Sequence, residues 1–145
     1  MWLWFASLAL ALQVQMTPKE RFERATVVLV GEVTSSEVLW EPSALGGMET
    51  HVWVAPERAL RGALPAVLQI NYPGGELGGV RVEVDDTPSF VQDRRYLLFL
   101  VADGRGGWSV LGGPDGALRL DTPGQSPGPT LEQTLARLGI ASGAP

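Results

Sequence analysis

The chain has 145 residues, enough for a single domain that buries roughly 68–70% of its unfolded surface. Cysteine is absent, which excludes disulfide staples and thiolate metal sites, and 45% apolar residues with 19% charge exclude a disordered chain. A formal charge of −5 without any basic run excludes the electrostatic footprint of a DNA- or RNA-binding protein.

Residues 1–16 carry no charged side chain. The apolar run from Trp2 to Leu12 is shorter than the ~20 residues of a membrane-spanning helix, so no stable membrane span is expected. It suits the apolar region of a signal peptide, and Ala9-Leu10-Ala11 has the small-x-small pattern of a cleavage site. The mature protein is therefore expected to begin between Leu12 and Thr17 and to be extracytoplasmic, either periplasmic or secreted. No Lys or Arg precedes the run, so either the α-amino group supplies the positive end or the start lies upstream. The alternative to a leader is a buried first strand or helix. Without a Cys after the run, no lipoprotein anchor is expected.

Thr17-Pro18-Lys19-Glu20 reads as a capping box with Pro at the first helical position, opening a short helix to about Ala25. Val27 to Val33 is rich in β-branched residues, hence a strand buried on both faces, which Glu37 to Trp40 extends. From Thr50 to Val54 the residues alternate, with Val52 and Val54 on one side and His51 and Trp53 on the other. Pro56 breaks the ladder or marks an edge. After a turn at Ala63–Pro65 the next strand runs from Val67 to Tyr72, and Pro73 to Gly79 reads as a glycine loop.

Val80, Val82 and Val84 are expected to face inward, with Arg81, Glu83 and Asp85 toward water. Tyr96 to Val101 is apolar throughout and reads as a central strand, joined by a tight turn at Asp103–Gly107 to Trp108–Leu111. A turn from Gly112 to Gly116 precedes a last strand, Ala117–Leu120. Six or seven short strands separated by turns point to a closed barrel or a sandwich over residues 17–120. Residues 121–129 form a Pro/Gly linker, and residues 130–139 a helix with a Thr130/Gln133 capping box and a Leu131, Leu135, Leu138 stripe, ending at Gly139. So short a helix is not stable alone and must dock.

Several strings resemble the netrin-module and tissue-inhibitor-of-metalloproteinase superfamily. They are Phe22 with Ala25 to Val33, then Leu60-Arg61-Gly62, Tyr72-Pro73-Gly74-Gly75, and Tyr96 to Leu100 followed by Trp108. Similar strings occur in exported bacterial proteins. The likeness covers roughly Phe22 to Leu120 and implies a mainly β fold: a small OB-like closed barrel of six or seven short strands with short N- and C-terminal helices. The animal inhibitors chelate the protease zinc through an N-terminal cysteine. This chain has none, so no inhibitory residue carries over.

His51 is the only histidine, and no G-x-S-x-G elbow accompanies it, so it reads as an exposed strand residue. The glycine loop lacks the Gly-Lys-Ser/Thr of a phosphate cradle and is followed by a strand. Glu83, Asp85 and Asp86 lack EF-hand spacing and read as a solvated turn. With one His and no Cys, neither a metal nor a cofactor is expected. Among Trp40, Trp53, Tyr72 and Trp108, Trp108 reads as core, and Trp53 stands opposite the valines as the surface aromatic. The expected partner surface is His51, Trp53, Tyr72 and Glu76. Three functions remain: a non-enzymatic binding or regulatory module for a protein partner, a protease being one candidate; a glycan-binding module using the aromatics; and, last, a hydrolase, for which no clustered acid–base pair is visible.

Overall fold

The computed structural model describes residues 16–122 and 127–140. The leader reading, apart from Met16, falls outside them, as does the middle of the linker.

Helix α1 (Pro18–Arg24) begins where expected: the Thr17 hydroxyl oxygen accepts the Glu20 N–H at 3.1 Å. The strands that follow are β1 (Val27–Trp40), β2 (Met48–Arg61), β3 (Leu68–Pro73), β4 (Gly75–Leu77), β5 (Val80–Val82), β6 (Arg95–Ala102), β7 (Trp108–Val110) and β8 (Ala117–Arg119). Helix α2 (Leu131–Leu138) ends the described chain, with both bonds of its Thr130/Gln133 capping box formed and Gly139 in the left-handed conformation.

β1 and β2 form a long antiparallel hairpin, and β3 pairs with β2 from Glu49 to Val54. β7 lies parallel to β3 at Ile70 and Trp108, β6 lies antiparallel to β7, and β6 returns to pair with β1 from Val27 to Glu32. The order β1-β2-β3-β7-β6 thus closes on β1 as a five-stranded mixed barrel of OB-like form, with β8 added along β6. Closure satisfies the backbone that an open sheet would leave at its edges.

Val27 to Gly31 of β1 and Tyr96 to Leu100 of β6 are buried on both faces, and both stretches are apolar without alternation. Val27, Leu29, Val33, Val52, Val54, Leu68, Ile70 and Leu98 fill the barrel. Val28, Val30, Leu97 and Phe99 point the other way and meet Phe22 of α1 and Leu131, Leu135 and Leu138 of α2. The leucine stripe of α2 therefore docks as expected. The Asp121 N–H donates to the Pro129 carbonyl at 2.7 Å and the Gly128 N–H to the Asp121 carboxylate at 3.2 Å, so the two ends of the linker close on each other.

Pro56 marks an edge, one of the two outcomes expected: β2 runs on to Arg61, and its pairing with β3 ends at Val54, so a missing N–H is tolerated there. Three other expectations need correction. The glycine loop folds, together with the start of the following segment, into a β4–β5 ribbon turned by Gly78 and Gly79, whose φ values of 58° and 79° suit a two-residue hairpin. This ribbon lies outside the barrel ring, so Val80 is 46% exposed rather than inward, and Val82 and Val84 are only partly buried. Among the described residues the strands number eight rather than six or seven.

Candidate functional site

Side chains opposite one another in antiparallel strands share a face. The β1–β2–β3 register therefore sets three rows of outward residues: Leu39, Glu49 and Pro73; Glu37, His51 and Asn71; and Ser35, Trp53 and Gln69. The hairpin loop of β1–β2, with Glu41, and the β6–β7 turn, with Asp103 and Arg105, flank this face.

Glu49 is its fixed point. Its side chain is 6% exposed, and its two oxygens each take a partner at 2.7 Å, His51 Nε2 on one and Arg105 Nη2 on the other. A carboxylate only accepts, so Nε2 carries the hydrogen and, in the neutral ring, Nδ1 is the acceptor nitrogen. His51 is not the exposed residue expected: its side chain is 19% exposed and meets Trp53 edge-on, with ring centroids 6.2 Å apart. The Glu49 carboxylate, by hydrogen bond and by charge, raises the pKa of Arg105 above its ordinary value.

A second chain of bonds holds the turn. The Gln69 amide donates to Asn71 and the Asn71 amide to Asp103, both at 2.8 Å, and Asp103 also accepts the N–H groups of Arg105 and Gly107. Burial pushes the Asp103 pKa upward, but these donors and the Arg105 charge outweigh it and leave the pKa lowered. Gly107 permits the close approach, since a Cβ there would collide with the Asn71 amide. The Ser43 hydroxyl and N–H lower the pKa of Glu41, with the charges of Arg105 and His51 adding to the effect.

The four residues expected to form one surface divide into two places. His51 and Trp53 lie on the outward face. Tyr72 pairs with Thr50 in the inward register and packs beside the barrel core, where burial raises the pKa of its phenol. It lines a cleft of about 550 Å³ that also holds exposed Glu76, with Arg81, Glu83, Asp85 and Asp86 on the ribbon side. Arg81 and Glu83 pair there at 3.1 Å.

Of the two other tryptophans weighed with them, Trp40 is 56% exposed and Trp108 packs against the core. Glu49 and Arg105 went unnoticed in the sequence, although Glu49 shares the parity of His51 and Trp53 along β2. Among the described residues no group of three or more His, Asp or Glu side chains is placed to hold a metal ion, and no helix is long and apolar enough to cross a membrane.

No family model and no curated protein matches the chain.

Proposed function

We propose that this chain is an exported, non-enzymatic recognition module that binds a protein partner on the outward face of β1, β2 and β3. The observation that carries the reading is the face itself: a partly buried Trp53 beside a bonded His51–Glu49–Arg105 set, bordered by two loops. OB-type barrels present ligands to the face of their second and third strands and to the loops beside it, a likeness of fold that supports the location. Reading the apolar run from Trp2 to Leu12 as a leader supports export, and the resemblance to the netrin-module superfamily supports the barrel fold alone. Glu49 and His51 do form the acid–base pair that the sequence had not revealed. However, Arg105 already occupies the second Glu49 oxygen, and among the described residues no hydroxyl is hydrogen-bonded to the His51 ring. That arrangement suits a rigid recognition surface better than turnover.

A glycan is the second reading, favoured by Trp53 standing across from the amide of Gln69. Capture from the native extracytoplasmic fraction tests the proposal. The immobilised chain should retain a protein that Trp53→Ala loses and Glu76→Lys keeps. A folded Trp53→Ala variant that retains every captured protein would remove the proposed face.

A further inference from the structure

Resting on that reading, we infer that the partner segment seated on this face is basic, with a Lys or Arg side chain lying against Trp53. The argument is one of charge complementarity. Glu37, Glu41, Glu49 and Asp103 border the face, and among the described residues Arg105 is the one guanidinium paired with them. Four carboxylates against one cation leave three negative charges with His51 neutral, and a protonated His51 still leaves two.

The acids differ in what they already do. Glu49 is consumed by its two partners, and Asp103 by Asn71 and the turn N–H groups. Glu37 is exposed, directly across from His51 and diagonal to Trp53, and among the described residues it forms no ion pair. Among the described residues the Glu41 carboxylate accepts only from Ser43, and its lowered pKa keeps it anionic at neutral pH. The two available acids thus lie on the β1 side and at its loop.

A cation over an indole gains from the ring quadrupole, Trp being the best of the aromatic partners. Here that ring stands near carboxylates that attract the same cation. An acidic segment would meet repulsion from the face and from a chain of net charge −5. A neutral glycan could stack on Trp53, but it would leave Glu37 and Glu41 without an opposite charge.

A random dodecapeptide display library panned on the full immobilised chain tests this directly. Selected peptides should be enriched in Lys and Arg. A synthetic representative should bind about fivefold to tenfold more weakly to Trp53→Ala and to Glu37→Gln. Its affinity should also fall as salt rises, because exposed charges are screened. Selected peptides that require Trp53 but carry no basic residue would overturn the inference while leaving the recognition face in place. So would a glycan-array signal that Trp53→Ala abolishes when no peptide is selected. If no peptide or glycan is lost by a folded Trp53→Ala variant, the inference and the recognition face both fall.

Discussion

Glu49 shows how one buried anion can organise a surface. Its carboxylate is withdrawn from water, and the loss of hydration is offset by two short charge-assisted bonds, one from its own strand and one from a turn 56 residues later. Arg105→Ala would leave the charge buried with His51 alone. Breaking a fully buried pair costs about 3–5 kcal/mol. The guanidinium is half exposed, so water can enter its place, and a smaller loss, read as a lower urea midpoint, is expected. Adding Glu49→Gln removes the stranded charge while keeping a hydrogen-bonding side chain. The double variant should therefore be more stable than Arg105→Ala alone, and a less stable double variant would show that the charge is not what the site balances. At this scale the sequence was legible where periodicity speaks. His51 and Trp53 could be placed opposite Val52 and Val54 because strand side chains alternate. The bond from Arg105 was not legible, because nothing in a glycine-rich turn indicates which distant strand it will cover.

The elements differ in how firmly they belong to the core. β6 has Leu97, Leu98, Phe99 and Leu100 fully buried, whereas the β4–β5 ribbon pairs only with itself and exposes Val80. Leu98→Asp would place an unpaired carboxylate inside the barrel, at a cost of several kcal/mol against a typical domain stability of about 5–15 kcal/mol. Loss of the folded state is expected. Val82→Asp, partly exposed on the ribbon, should lower the melting temperature by a few degrees and broaden the amide signals of residues 75–82, leaving the barrel signals intact. Equal collapse of both variants, read by circular dichroism and amide spectra, would show that the ribbon is part of the core. β1, β6 and both helix starts were legible from apolar runs and caps. The ribbon was not, because Gly74, Gly75, Gly78 and Gly79 carry no side-chain pattern and Val80 to Val84 alternates just as an inward strand would. Its exposure follows from the closure of the five barrel strands without it, a tertiary fact without a local signal.

At the scale of the whole molecule, closure of the barrel fixes which surfaces remain for recognition. The outer sides of β6 and of β1 from Val28 to Val30 are covered by α1 and α2, and the interior is filled by side chains. The outward rows of β1, β2 and β3 stay uncovered and are stiffened by two bond networks, so little order remains to be imposed when a partner arrives. The ribbon cleft, with Tyr72 and Glu76, opens on the inward-register side and offers a separate surface. The central claim is that the first of these is the one used. Hydrogen–deuterium exchange of the captured complex against the free chain measures this most directly. New protection should appear over Glu49–Val54, Gln69–Asn71 and the Asp103–Gly107 turn, with residues 75–86 unchanged. Protection confined to residues 75–86, with the β2 and β3 segments exchanging as in the free chain, would contradict the account.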